Sequence, residues 1–369
     1  MLLVKDNVIG VCVMTCIIAL IGHLDGGGAS TFCIVVPAML PVYKKMHMRP
    51  TTLLRISVIA MGVLNLMPWA GPTMRAATVL GIEAGSLWQT ILPIQACGIV
   101  LALAVAVLNG IIEQKRGAGL NGKLAQEATH LNSVEEAAAD AGSANNDLAR
   151  PKLFVFNIIL TIAVIALLIK DIFPSYVPFM IGVAIAILVN YPGAKMQKKI
   201  INLHSGPALM MCSTLMGAAV LMGILVKDIE GVNSVITCMS NLISSILPTA
   251  LGQHLPLVIG ILSVPLALAF DTDSYFYGML PVMIGIGEGF GVGAMPIAVA
   301  MVVCRNCATF ISPMVPATLL GVGLADVDIK DHIKNSFLWV WTFSIICMLI
   351  GVIAVSYTHL RAHETCADL

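Results

Sequence analysis

The chain has 369 residues, of which 58% are hydrophobic and only 11% are charged, and its mean hydropathy is +0.94. A soluble globular protein carries about 25% charged residues, so this composition excludes a soluble domain and predicts a membrane protein in contact with the lipid bilayer. The net charge is zero at pH 7 and no basic face stands out, which excludes nucleic acid as an expected partner.

The first half contains two interrupted apolar stretches and one continuous stretch. Residues 8–43 are interrupted at residues 25–31 by Asp, Gly, Ser and Thr, and residues 52–87 are interrupted at residues 65–73 (NLMPWAGPT). Residues 89–108 are apolar throughout. Because a spanning helix needs about 20 apolar residues, these patterns predict a helical hairpin, a broken helix and an unbroken helix, in that order.

A polar segment and four further helices follow. Residues 111–152 are rich in Ala, Glu, Asn, Gly and Ser, which predicts a cytoplasmic linker between two halves. Three spanning helices are predicted within residues 153–227. Residues 231–250 are apolar but carry several Ser and Asn side chains, a mixture that predicts a helix lying along the membrane interface.

The end of the chain repeats the order of its beginning. Residues 254–288 are interrupted at residues 271–274, and residues 291–325 are interrupted at residues 312–318 (SPMVPAT). These stretches predict a second hairpin and a second broken helix, and the apolar segment that ends at residue 355 predicts a last helix. Residues 356–369 turn abruptly polar, and we predict that they form a non-native tail.

The two halves are predicted to be inverted repeats. With the Lys and Arg clusters placed in the cytoplasm, the first hairpin enters the membrane from inside and the second from outside. The spacing from Asp25 to Thr73 nearly equals that from Asp271 to Thr318, and MLPV follows each hairpin interruption. The expected fold is therefore an all-α polytopic membrane protein, with two re-entrant hairpins and two broken transmembrane helices. Residues 1–110 form the first repeat, without counterparts of the three scaffold helices, and residues 153–355 form the second.

Interrupted helices indicate where a substrate site lies. Non-helical backbone in hydrocarbon leaves polar groups unpaired and is tolerated only where it lines a cavity or is buried in protein. Half-helix N-termini direct N–H donors and positive dipole ends to such a point, which suits a carboxylate. The predicted substrate-binding residues are Asp25, Gly26, Gly27, Gly28, Ser30, Thr31, Asn65, Gly71, Thr73, Asp271, Asp273, Ser274, Ser312 and Thr318.

The segments HLDGGGASTF, NLMPWAGPT, DTDSYFYGMLPV and SPMVPATLLGVGLADVDIKDH, in this order, resemble the citrate–metal:proton symporter family of the ion-transporter superfamily. The resemblance runs from about residue 8 to about residue 355 and omits the linker. It implies a secondary transporter of the bacterial inner membrane that imports citrate, or a citrate-like carboxylate, complexed with a divalent cation such as Mg²⁺ or Ca²⁺. It also implies proton symport, an elevator-type transport domain that moves against a scaffold domain, no resident cofactor, and a homodimer formed through the scaffold.

Roles within the site follow from side-chain chemistry. An intramembrane carboxylate is costly and is a functional candidate, and oxygen ligands suit Mg²⁺ and Ca²⁺. Asp25 and Asp271 are the predicted metal ligands, although the same groups could instead carry the proton. His23, which can titrate near neutral pH, and Asp273 are the predicted proton-coupling residues. The alternative for the aspartates is that they cap half-helices.

Two other functions fit the same pattern. A dicarboxylate or gluconate-type permease of the same superfamily would need no divalent cation, and a cation/proton exchanger would use the aspartates without any carboxylate substrate. A membrane-embedded enzyme is not expected, because no nucleophile–base pair or metal-ligand cluster appears in the sequence.

Overall fold

The computed structural model describes residues 7–120, 150–170, 173–174, 176–226 and 233–367. Within these residues every regular element is helical and no strand is present, so the chain is all-α as its sequence predicts. By length and composition, five helical segments of the described part are able to cross a membrane, consistent with a polytopic membrane protein. These segments are Val8–Asp25, Ala84–Lys115, Pro151–Lys170, Ala294–Ile311 and Ile329–Val352.

The first interrupted stretch forms two helices that pack against each other. Helix α1 (Val8–Gly22) is followed by a 3-10 turn (His23–Asp25), and α2 (Gly28–Lys45) begins shortly afterwards. The interruption is where the glycine-rich sequence predicts it. We call residues 23–31 the first tip. That α1 and α2 re-enter on one side of a bilayer stays a prediction, because α1 is by length also able to span.

The second stretch is a broken helix, as predicted. Helix α3 (Pro50–Leu64) and helix α4 (Gly71–Leu80) are separated by residues 65–70, which we call the first break. Proline lies in the first turn of α4, where its missing N–H is tolerated, and Gly81 ends the helix with φ +66°. Helix α5 (Ala84–Lys115) then runs without interruption.

The middle of the chain supplies helices with little burial. They are α6 (Phe154–Lys170), α7 (Tyr176–Asn190), α8 (Ala194–Val226), α9 (Val235–Ile246) and the short α10 (Thr249–Gln253). In α9 the polar side chain of Ser240 is buried against α12, whereas Leu242 and Ile246 are 64% and 75% exposed. The exposed side chains of this helix therefore include large apolar ones as well as Asn241 and Ser245, and its place at a membrane interface stays a prediction.

The last part again contains two interrupted apolar stretches, and that it repeats the first hairpin stays a prediction. Helix α11 (Leu255–Ala269) is separated from α12 (Leu280–Gly289) by residues 270–274, the second tip, and by the π-helical turn Ser274–Met279. Helix α13 (Ala294–Cys307) is separated from α14 (Pro316–Ala325) by residues 308–315, the second break, which includes a 3-10 turn (Thr309–Ile311). Helix α15 (Ile329–Ala367) follows, so the predicted tail is helical as far as Ala367.

The two broken helices pack closely against each other in the buried core. A Cβ atom added to Gly62 of α3 would lie 2.9 Å from the Cα of Cys307 in α13, so glycine permits this close approach. Residues 52–64 of α3 and 297–307 of α13 are buried throughout. Val63 packs against Gly98, which lies midway along α5, so the first break is at mid-height of that long helix.

The polar segment begins later than predicted, because α5 continues to Lys115. Glu113 is fully buried and accepts hydrogen bonds from Arg49 Nε and Thr52 Oγ1, both at 2.6 Å, and from Arg116 at 3.1 Å. Because Glu113 is buried and hydrogen-bonded, it belongs to the folded core and not to a linker. The backbone N–H of Gly119 then donates to the Met46 carbonyl at 2.8 Å. The rest of the predicted linker, residues 121–149, lies outside the described residues.

Candidate functional site

Asp25 organises the first tip. Its Oδ1 accepts the Gly27 N–H at 2.8 Å, and its Oδ2 accepts the Ser30 hydroxyl at 2.5 Å. Gly26 has a φ of +71°, a conformation that favours glycine. Asp25 therefore closes the turn ahead of α2, whereas the N-cap residue of α2 is Gly27, which has no side-chain cap. The residue is exposed, and each carboxylate oxygen retains a lone pair for a further partner.

His23 lies buried beneath this turn with one nitrogen available. Thr31 Oγ1 donates to the Gly27 carbonyl at 2.7 Å and lies 2.8 Å from His23 Nδ1. A hydroxyl has one proton to give, so Nδ1 must be the donor to Thr31 and Nε2 the lone-pair nitrogen. Nε2 is buried and has no hydrogen-bond partner among the described residues, although Asn65 lies beside the ring.

The first tip is seated against both breaks. Trp69 of the first break donates from Nε1 to the Leu24 carbonyl at 2.9 Å. Phe310 of the second break meets the His23 ring edge-on, with centroids 5.2 Å apart. A Cβ atom on Gly28 would lie 2.4 Å from the Phe310 ring and 2.9 Å from the Ala317 side chain. Only glycine fits at position 28 without displacing these neighbours.

The two breaks are joined directly by buried amide side chains. Asn306 Nδ2 donates to the Asn65 carbonyl at 3.0 Å, and Asn65 Nδ2 lies 3.4 Å from Asn306 Oδ1 and from Thr309 Oγ1. Thr73, in the first turn of α4, donates to the same Asn65 carbonyl at 3.4 Å. These bonds satisfy backbone that the end of α3 leaves unpaired. Asn306 and Thr309 were not among the predicted site residues.

At the second tip, Asp271 accepts hydrogen bonds from nearby residues, as Asp25 does at the first tip. It accepts the N–H groups of Asp273 and Ser274, each at 3.2 Å. Asp273 itself forms an ion pair with Arg75, which reaches across from α4. The Arg75 side chain is 14% exposed and that of Asp273 is 45% exposed. The second tip is thereby tied to the half-helix that follows the first break.

Arg305 is a buried cation next to the second tip. Its Nη2 lies 3.3 Å from the Phe270 carbonyl and 3.4 Å from Thr272 Oγ1, and its Nη1 lies 3.3 Å from Thr309 Oγ1. Its Nε has no hydrogen-bond partner, and the guanidinium forms no ion pair with any described carboxylate. The sequence signal for this residue was a charge inside the apolar run of α13, beside Asn306.

The remaining predicted residues are placed at the second break and at the start of α4. Ser312 is buried and accepts the Met314 N–H at 3.2 Å, and Gly71 begins α4. Thr318 is also buried, and its hydroxyl has no partner within the described part of the chain. Asp25 and Asp271 do not contact each other. The two tips are instead linked through Asn65, Thr309 and Arg305.

A cavity of about 770 Å³ opens beside the second tip. Asp273, Ser274 and Tyr277 line one side of it, and apolar residues of α8 and α9 line the other. Among the described residues, no group of three or more His, Cys, Asp or Glu side chains is placed to hold a metal ion.

Comparison with known proteins identifies similar transporters. A profile of the citrate transporter family matches residues 3–304. A citrate transporter of Bacillus subtilis (strain 168) is 33% identical over 95% of this chain and 79% of its own length. A Mg(2+)/citrate complex secondary transporter of the same organism is 34% identical, over 96% of this chain and 79% of its own length. The uncharacterized transporter YraO of that organism is 29% identical over 96% of the chain and 80% of its own length.

Proposed function

The chain belongs to the citrate transporter family, and on that premise we propose that it imports citrate complexed with a divalent metal ion, driven by proton symport. It is a multi-pass membrane transporter rather than an enzyme. The relative that is named for a Mg²⁺/citrate complex supports the choice of substrate. We place the protein in the bacterial inner (cell) membrane.

The observation that carries the proposal is the meeting of helix ends at the two breaks and the first tip. Helices α2, α4 and α14 all begin there, so the unpaired N–H groups of their first turns are available to an anion. Buried polar atoms that have no partner among the described residues, on His23, Arg305 and Thr318, lie in these segments. A buried polar atom that lacks a partner is costly, and a polar substrate would supply the missing hydrogen bonds.

We propose that the halves are inverted repeats with re-entrant hairpins. Each half has the order hairpin, broken helix, unbroken helix: α1 to α5 and α11 to α15. The cross-contacts support the repeat, because α2 packs on α14 while α4 packs on α12 and on the turn before it. In an elevator mechanism these hairpins and broken helices would move together, and α6–α8 would belong to the scaffold through which a homodimer forms.

Within this site the carboxylates and His23 have separate roles. Asp25 and Asp271 each hold a tip in shape and keep lone pairs that can complete the coordination of the cation. His23 can accept the coupled proton on Nε2. Protonation of Asp273 would release Arg75 and loosen the second tip.

The test is uptake of radiolabelled citrate into proteoliposomes with Mg²⁺, with Ca²⁺ and with a chelator, with and without a protonophore. We expect uptake to need a divalent cation, to fall when the proton gradient is collapsed, and to be lost in Asp25→Asn and Asp271→Asn. Asp328→Asn is the matched control, because Asp328 accepts a backbone N–H at 2.7 Å at a helix start away from both tips. Uptake that persists in the chelator would contradict the metal–citrate assignment.

A further inference from the structure

The two tips differ in charge: the first tip carries Asp25, whereas at the second tip the carboxylates of Asp271 and Asp273 stand beside the guanidinium groups of Arg75 and Arg305. Asp25 at the first tip is exposed and forms no ion pair among the described residues. At the second tip, Arg305 is a fully buried cation that forms no salt bridge with a described carboxylate, although Asp271 is close enough to act on it electrostatically. A metal–citrate complex has the same polarity, because the cation occupies one side and a carboxylate outside the coordination shell projects from the other.

The hydrogen bonds of Arg305 are long, so a carboxylate could form stronger ones in their place. All of its N–H···O distances to the second tip and to Thr309 are 3.3–3.4 Å, longer than the usual range for such bonds. Within the described part of the chain Nε has no partner, and Nη2, on the same edge of the guanidinium, makes only these long bonds. That edge is the one a carboxylate binds through two parallel hydrogen bonds.

The same residue is connected to the first tip. Thr309 Oγ1 lies 3.3 Å from Arg305 Nη1 and 3.4 Å from Asn65 Nδ2, and Asn65 lies beside His23. A ligand at the junction of the breaks would therefore have the anionic tip on one side and the buried guanidinium on the other. Phe270 and Thr272 cover Arg305, so displacement of the second tip would uncover it.

Resting on the function proposed above, we propose that Arg305 binds a substrate carboxylate that is not coordinated to the metal, whereas Asp25 completes the coordination of the cation. The metal–citrate complex then enters in one orientation, with its cation toward the first tip. Of the two aspartates proposed above as cation ligands, Asp25 alone then meets the cation, and Asp271, on the side of the two arginines, keeps only its role of holding the second tip in shape.

The experiment measures binding of citrate, and of citrate with one terminal carboxylate blocked as a methyl ester, to the purified full chain with Mg²⁺, with Ca²⁺ and with chelator. The ester should bind wild type about tenfold or more weakly than citrate, since a charged hydrogen bond is lost. Arg305→Gln should weaken the binding of citrate by a similar factor and remove the difference in affinity between citrate and the ester. Asp25→Asn should keep that difference but lose the dependence on the cation.

Arg55→Gln is the matched control for the buried arginine. Arg55 is 4% exposed, donates to Asn109 Oδ1 at 2.9 Å and lies over the Trp339 ring, away from both tips. It should keep the full difference between citrate and the ester. If Arg305→Gln does not fold, Arg305→Lys keeps the charge but loses the two-bond geometry, so it should reduce the difference severalfold.

The outcomes separate the two proposals. If the Arg305 variants keep the full difference in binding between citrate and the ester, Arg305 does not bind the free carboxylate. The same holds if Arg305→Gln and Asp25→Asn change binding in the same way. Either result would overturn the separate roles of Arg305 and Asp25 and would leave metal–citrate transport intact. Wild-type citrate binding that is unchanged by chelator would instead remove the proposed function, and the assignment of Asp25 with it.

Discussion

Asp25 and Asp271 each accept hydrogen bonds within their own tip, yet the surroundings of the two tips differ. The first tip packs on the ring of Phe310 and is fixed by a hydrogen bond from Trp69. The second tip is bracketed by Arg75 from one broken helix and Arg305 from the other. The capping aspartate is thus a requirement of the turn, whereas the neighbouring elements determine the charge that a ligand would meet.

The packing of the tips also differs, and this gives the largest expected effect. Gly28→Ala places a Cβ atom 2.4 Å from the Phe310 ring, whereas Gly278→Ala, in the turn after the second tip, meets no atom within 4 Å. Overpacking of this kind costs about 1–3 kcal/mol. We expect citrate uptake to fall about tenfold in Gly28→Ala and to stay near wild type in Gly278→Ala. Equal uptake by the two variants would show that the first tip is not tightly seated.

The link between the breaks is tested by Asn65→Ala, Asn306→Ala and the double variant. Each single change removes buried hydrogen bonds and leaves a partner unsatisfied, which costs about 1–3 kcal/mol. Melting temperatures in detergent should fall in both, and the double variant should be less destabilised than the sum of the two because the residues share one interaction. Additive losses would mean that the breaks are stabilised independently.

Loss of the ion pair between Arg75 and Asp273 at the second tip should have a smaller effect on stability. Asp273 is nearly half exposed, so solvent screening limits the pair to below about 1 kcal/mol. Arg75→Gln should therefore melt close to wild type while uptake falls, because the tip is released from α4. The charge-reversed pair Arg75→Asp with Asp273→Arg should recover part of the uptake, and a double variant no better than either single change would argue against a direct pairing.

Trp69→Phe should have the smallest effect. It removes the Nε1–H bond to Leu24 and retains an aromatic ring against Phe179 of α7, where the centroids are 5.3 Å apart. The expected loss of stability is about 0.5–1.5 kcal/mol, with a modest fall in uptake. Trp88→Phe loses a comparable bond to Gln95 Oε1, at 2.7 Å, and is the control for an effect on stability alone.

Most helix interruptions were predictable because their causes are local. Aspartate and glycine occur at residues 25–31, proline and glycine at residues 65–73, and aspartate at residues 271–274, and the structure breaks its helices at these places. The second break begins earlier than residue 312, since α13 ends at Cys307 and a 3-10 turn follows. Residues 308–311 carry no strong breaking signal, and their conformation is accompanied by tertiary contacts of Thr309 with Asn65 and Arg305.

The residues that join distant segments could not be assigned from sequence. Asn65 and Asn306 are far apart in the chain, and nothing local indicates that their side chains meet. Polar composition predicts a linker at Glu113, yet Glu113 is buried against Arg49 and Thr52 of the α2–α3 region. Composition indicates how polar a segment is, whereas the pairing of its polar groups depends on the fold.

The most direct test of the account is a double-label uptake measurement, with radiolabelled Ca²⁺ and radiolabelled citrate carried into the same proteoliposomes under an inward proton gradient. The account predicts that the two labels enter in equal molar amounts, and that Asp25→Asn abolishes the entry of both. Citrate that accumulates without the cation, or a cation that enters without citrate, would contradict the transport of a metal–citrate complex.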